Sequence, residues 1–193
     1  NFVVRSSSNA EDLAHFPAAG IYESYNHLTL ADTIFESIKK VWASLVSPRS
    51  VHLREEVGIP LDDCYMGVII QEEISCQLGG VMVTSNPMNP SDFRNVYINA
   101  SSKSAVEVVT GTGRPYQMLY SIVEGGGRTL LKDAKTRELK QSEQEMLQNL
   151  AICGKLLQSH YSPDYSFDNP VDIEWAIRDD QIYILQIRPY QGQ

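Results

Sequence analysis

Residues 171–189 read VDIEWAIRDDQIYILQIRP. In the first half Val171, Ile173, Trp175 and Ile177 alternate with Asp172, Glu174 and Ala176; in the second, Tyr183, Leu185 and Ile187 alternate with Ile184, Gln186 and Arg188. A period of two places one set on a core face and the other on the opposite face of a strand pair. With both apolar sets on the core, the connecting loop holds an odd number of residues, most simply Asp179, Asp180 and Gln181. That register predicts Trp175 opposite Leu185, Glu174 opposite Gln186 and Asp172 opposite Arg188.

The polar face then carries a carboxylate, an amide oxygen and a guanidinium. Two chemistries fit it. Hard oxygen donors suit Mg²⁺ and an arginine fork clamps phosphate, which together serve a nucleoside triphosphate with its metal. Alternatively, Asp172 and Arg188 form a cross-strand ion pair while Glu174 and Gln186 face water. The other end of the chain, VVRSSSNAEDLAHFPAAG (residues 3–20), supplies a second arginine, Arg5, followed by hydroxyls. Ser8 and Glu11 there have the spacing of a capping box ahead of a short helix.

Between these ends, Phe2 to Arg5 reads as a strand. From Thr29 a helical period runs through Leu30, Ile34, Ile38, Val41, Trp42 and Leu45 as a core stripe. Pro48 opens a second helix over Ser50 to Val57, closed by Gly58. Tyr65–Gln71 and Gly80–Ser85 are rich in β-branched residues and read as an antiparallel pair. Further strands are expected at Asn95–Asn99, Glu107–Val109, Gln117–Val123 and Arg128–Leu131, with Glu124–Gly127 as connector. A helix over Ser142–His160 uses Met146, Leu147, Leu150, Cys153, Leu156 and Leu157 as its buried face. Strands grouped apart from helices favour α+β over alternating βαβ.

The 193 residues, 42% hydrophobic and 21% charged, have the composition and length of one compact unit. A net charge of -8 argues against nucleic acid or an anionic membrane as partner. Any anion site is therefore built locally. Cys64, Cys76 and Cys153 match no close-spaced metal motif and read as free thiols of a reducing cytosol. No apolar run has the length of a membrane span and no signal segment opens the chain, so a cytoplasmic location is expected. The chain begins at Asn1 and enters strand-like sequence at once, which leads to a piece of a longer protein.

These residues resemble the nucleotide-binding domain of the phosphoenolpyruvate synthase, pyruvate phosphate dikinase and glucan water dikinase family. VRSSSNAEDLAHFPAAGIYES is similar to that family's RSSA.AEDL…AG signature, and VDIEWAI…IYILQIRP to its DIEWA…L.I.Q.RP ending. VWASLVSPRSVHLREEVGI resembles the segment between, and GVIIQEEI followed by GVMVTSNP resembles the central hairpin. The resemblance implies an ATP-grasp-like subdomain, α+β, mainly antiparallel sheet with packed helices. By matching positions, Arg5 would contact ATP phosphates, Ser6 and Ser7 would shape the turn beside it, and the loop from Gly20 through Glu23 and Ser24 would close over them. Gln71, with backbone near Glu73 and Ile74, would line the adenine pocket. Glu174 and Gln186 would hold Mg²⁺, and Arg188 would contact phosphate.

Family chemistry moves the β-phosphate of ATP to a histidine on a separate domain of the parent chain and then to an acceptor, releasing AMP and phosphate. The work implied here is positioning and charge stabilisation, with Arg5 and Arg188 in the catalytic role. His15, His27, His52 and His160 resemble no carrier motif and read as structural or surface residues. Where the family has GLGE before VV.G, this sequence has SKSAVEVVTG, residues 102–111: Lys103 and Ser104 replace glycine-rich backbone and Glu107 is displaced by one position. Two readings therefore stand: a dikinase's ATP-binding part, or a degenerate module that binds a nucleotide or a partner without phosphoryl transfer.

Overall fold

The computed structural model describes residues 1–11, 20–102, 116–132 and 137–190. Two compact units are distinguished within the chain, Asn1–Ile74 and Ser75–Gln193.

The first unit is a three-stranded antiparallel sheet of β1 (Phe2–Ser8), β2 (Tyr25–Leu28) and β3 (Met66–Glu72), with β1 in the middle. Two helices accompany it, α1 (Ala31–Ser44) and α2 (Pro48–Val57). α1 packs on β1 and β3 through Val41, fully buried, and through half-buried Ile34, Ile38 and Leu45. Leu30 and Trp42, expected on that stripe, are 65% and 54% exposed. Each residue turns the helix by about 100°, so Trp42 leaves the face that Val41 occupies. α2 begins as its sequence demands: the Ser47 hydroxyl accepts from the Ser50 N–H at 3.3 Å, Pro48 follows, and Gly58 at φ 71° ends the helix. Buried Arg54 donates to the Leu45 carbonyl at 2.5 Å and the Ser50 hydroxyl at 2.6 Å. It thereby satisfies a carbonyl that the end of α1 leaves open.

The second unit is a six-stranded antiparallel sheet covered on one face by α3 (Gln141–Tyr161). Its strands are β4 (Leu78–Val83), β5 (Asn95–Ser101), β6 (Tyr116–Ser121), β7 (Gly127–Leu131), β8 (Val171–Arg178) and β9 (Gln181–Pro189), in the order β7-β6-β5-β4-β8-β9. Leu78, Met82, Ile98, Met118, Ile173 and Trp175 project from the sheet into a core that Leu147, Leu150 and Ala151 complete from α3. Leu156, expected on the buried face of α3, is 67% exposed, and Cys153 is half-buried. Small residues take the inner positions instead, because α3 lies close to β4: a Cβ on Gly154 would stand 2.2 Å from the end of the Met82 side chain. At its N-terminus, buried Glu143 accepts from the Arg137 guanidinium at 2.7 and 2.5 Å and from the Lys140 N–H at 2.8 Å. The Arg137 hydrogen bonds hold its carboxyl below the usual range.

Two expectations are corrected. Tyr65–Gln71 and Gly80–Ser85 do not pair with each other: β3 runs antiparallel to β1 from Phe2↔Glu72 to Ser8↔Met66, while β4 lies between β5 and β8. Five of the six residues of β4 are buried, and a strand covered on both faces belongs inside a sheet with a neighbour on each edge. The terminal hairpin also differs. Its loop has two residues, Asp179 and Asp180, both with positive φ of 51° and 57°, and Arg178 pairs with Gln181. A bulge at Leu185 then adds back one residue, so Trp175 faces Ile184 while Glu174↔Gln186 and Asp172↔Arg188 hold as expected. Ile182, Ile184 and Ile187 reach the core in place of Tyr183, Leu185 and Ile187. The strand expected at Glu107–Val109 lies outside the described residues.

Candidate functional site

The face of the six-stranded sheet away from α3 carries the polar side chains. Strand register aligns them in rows, since directly opposed residues share a face. One row runs Gln186, Glu174, Val81, Asn99, Gln117 across β9, β8, β4, β5 and β6. The next holds Arg188, Asp172, Val83 and Tyr97. Arg188 donates from Nε to Asp172 Oδ2 at 2.8 Å, and its terminal nitrogen stands 2.7 Å from the same oxygen. With 11% of the Asp172 side chain and 27% of the Arg188 side chain exposed, the pair is shielded enough to fix the plane of the guanidinium. Farther along the hairpin the Arg178 guanidinium lies over the Tyr183 ring, 5.4 Å from its centre.

Glu174 and Gln186 are both half-buried on this face. Their chemistry fits a hard divalent cation: one carboxylate and one amide oxygen, with no nitrogen or sulfur ligand beside them in the row. Among the described residues no group of three His, Cys, Asp or Glu side chains is placed to hold a metal. A cation here would therefore keep much of its water and take its remaining ligands from a bound phosphate, as Mg²⁺ does.

The remaining sequence-derived residues fall in the first unit. Arg5 lies in the central strand β1 opposite Ile69 of β3. Ser6 and Ser7 continue that strand opposite Val68 and Gly67, where a turn was expected. The Ser6 hydroxyl donates to Glu11 Oε1 at 3.4 Å, the Ser8 N–H donates to Glu11 Oε2 at 3.3 Å, and the Ser8 hydroxyl accepts from the Ala10 N–H at 3.1 Å. The Glu11 bond to the Ser8 N–H is one half of a capping box, while the Ser8 hydroxyl takes the N–H of Ala10, two residues on, and the helix expected after it runs into residues outside the described ones. Gly20 sits at φ 71°, its carbonyl held by Arg49 at 3.1 Å. Glu23 and Ser24 are exposed, with the Glu23 N–H donated to the Ser44 hydroxyl at 3.3 Å.

Gln71 pairs with Val3 near the end of β3. Glu73 follows, its N–H donated to the Asn1 carbonyl at 3.0 Å. Its carboxylate takes the His27 N–H at 3.1 Å and stands 2.7 Å from His27 Nδ1, while His27 holds a positive φ of 60°. Ile74 is half-buried at the end of the unit. The structure thus brings Asp172, Glu174, Gln186 and Arg188 together within one sheet. Asn99, which the sequence does not single out among the polar residues of β5, shares the row of Glu174 and Gln186. The Asp172–Arg188 ion pair is present, so one side chain pairing serves both chemistries that the sequence left open.

Among the described residues no helix is long and apolar enough to cross a membrane. Comparison with known proteins is consistent along the whole chain. The family described as pyruvate phosphate dikinase, AMP/ATP-binding domain, matches residues 1–193. A probable phosphoenolpyruvate synthase of Archaeoglobus fulgidus is 32% identical over 96% of this chain and 26% of its own length. A rifampicin phosphotransferase of Bacillus subtilis is 30% identical over 97% of the chain and 23% of its own length. A phosphoenolpyruvate synthase of Pyrococcus furiosus is 29% identical, covering 96% and 25% respectively. The chain spans about a quarter of the length of each of these relatives.

Proposed function

The chain belongs to the pyruvate phosphate dikinase AMP/ATP-binding domain family, and on that premise we propose that it forms the ATP-binding part of a dikinase. It is α+β and ATP-grasp-like, of the kind that phosphoenolpyruvate synthases and related phosphotransferases carry. In this reading Arg5 and Arg188 contact the phosphates of ATP. Ser6, Ser7, Gly20, Glu23 and Ser24 line the phosphate side, and Gln71 with the main chain at Glu73 and Ile74 lines the base. Glu174 and Gln186 would hold Mg²⁺, which when bound would supply neutralisation of phosphate charge. This chain's own work is to orient the triphosphate and to meet developing charge with the guanidinium groups of Arg5 and Arg188, the latter held by Asp172.

The observation that carries the reading is the shared face of Glu174, Gln186 and the Asp172-held Arg188. The phosphate passes to a histidine on another domain of the parent chain and then to an acceptor such as pyruvate, leaving AMP and phosphate. The relatives' names include both a synthase of phosphoenolpyruvate and a rifampicin phosphotransferase, which fits an acceptor chosen outside this chain. A cytoplasmic setting accords with the free thiols of Cys64, Cys76 and Cys153.

Product analysis tests the proposal. The full-length protein, supplied with Mg·ATP and pyruvate, a glucan or water, is expected to form AMP and phosphate in step, without ADP. Accumulation of ADP would contradict it. The replacement of glycine-rich sequence by SKSAVEVV at residues 102–109 favours the second reading, a module that binds nucleotide without transfer. Nucleotide bound tightly with no AMP released under any of these conditions would establish that one instead.

A further inference from the structure

Asn99 shares a face and a row with Glu174 and Gln186, separated from Glu174 by Val81. Its Oδ1 is buried and has no hydrogen-bond partner among the described residues. An amide oxygen in that position lowers the stability of the free chain, since it has given up water and gained no donor. The backbone beneath it has no room to adjust: a Cβ on Gly80 would stand 2.0 Å from the Asn99 carbonyl oxygen. Pairing with Val81 on one side and Gln117 on the other keeps the side chain on this face. Buried polar atoms left without partners are uncommon in native proteins, and a bound ligand is one of the reasons they persist.

We infer that Asn99 is a positioning residue for the divalent cation at Glu174 and Gln186, its Oδ1 accepting a hydrogen bond from a water that the cation carries. This rests on the metal–nucleotide reading of the face. Two strand spacings, about 10 Å between the main chains of Asn99 and Glu174, are spanned by two side chains with a hydrated cation between them and are too wide for direct contact. Mg²⁺ gives up its water reluctantly, so the protons of its retained waters need acceptors nearby. Val81, between the two, carries a short apolar side chain that offers none. Asn99 supplies an acceptor within this row without adding charge to a site that must also admit a polyanion.

The test is Mn²⁺ binding to the full-length protein, followed by electron paramagnetic resonance in the presence of a non-hydrolysable ATP analogue, alongside thermal unfolding of the free protein. Asn99→Leu, close in size and without the orphan oxygen, is expected to weaken Mn²⁺ binding about tenfold, the usual effect of losing an outer-shell partner, while raising the unfolding midpoint. Asn99→Gln keeps a neutral amide oxygen and is expected to retain most of the affinity. Glu174→Gln serves as the reference and is expected to lose Mn²⁺ far more severely. Mn²⁺ affinity unchanged in Asn99→Leu but lost in Glu174→Gln would overturn the role of Asn99 and leave the metal reading standing. Affinity unchanged in both would overturn both. A lowered unfolding midpoint with unchanged affinity would mark Asn99 as structural, bonded in solution to its row neighbour Gln117.

Discussion

Arg188→Ala is expected to lower AMP formation by the full-length protein about a thousandfold or more, the scale on which an arginine that meets transferred phosphoryl charge contributes. The geometry explains why so large a loss falls on one side chain. Asp172 takes Nε at 2.8 Å and lies 2.7 Å from a terminal nitrogen, so the guanidinium does not have to be ordered when nucleotide arrives. Truncation removes the donor fork and also leaves the Asp172 carboxylate, 11% exposed, without its cross-strand cation. That second effect destabilises by about 1–3 kcal/mol, and urea unfolding separates it from the loss of turnover. Arg188→Lys should fall between, because an ammonium retains charge but not the planar fork. Turnover in Arg188→Ala equal to that of the parent would remove Arg188 from the mechanism.

Trp175→Ala is expected to cost about 3–5 kcal/mol of stability, the range found for emptying a large aromatic site in a core. Trp175 is fully buried and faces Ile184 at the point where the bulge at Leu185 shifts the register of β9. The cavity would open beside Glu174 in the same strand, so the cation affinity proposed for Glu174 is expected to fall with stability. Trp175→Phe should cost far less. The indole Nε1 is buried with no hydrogen-bond partner among the described residues, and phenylalanine removes that orphan N–H along with part of the volume. Denaturant melts of the two variants decide the matter; equal and small losses in both would mean that the core does not depend on this ring.

The polar face of the terminal hairpin was legible because its alternation, Asp172, Glu174, Gln186, Arg188, fixes relative positions regardless of how the loop closes. The loop and the bulge were not. The prediction placed one residue too many in the turn, and the extra residue is in fact at Leu185; the two differences cancel over the half of the hairpin that carries Asp172, Glu174, Gln186 and Arg188. No composition marks a bulge, and the nearly continuous apolar run from Ile182 to Leu185 offers no alternation to locate it. β2 was missed for a related reason: Tyr25–Leu28 is a short edge strand of mixed polarity.

Partner choice between strands was less legible still. β3 and β4 are neighbours in sequence with similar composition, yet they belong to different sheets. What separates them is burial on both faces for β4, a property of the assembled sheet. Asn99 escaped notice because polar residues at alternate strand positions ordinarily face water. Only the structure shows that its oxygen is buried and shares a row with Glu174.

The central claim is that Arg5 and Arg188 each contribute to nucleotide binding by the full-length protein. Calorimetric titration of Mg·ATP into the full-length protein tests it most directly, with Arg5→Ala and Arg188→Ala titrated alongside. The prediction is one ATP per chain, with affinity weakened about tenfold or more by each substitution, since each removes charge-assisted hydrogen bonds to phosphate. Absence of binding, or binding that neither substitution changes, would contradict it.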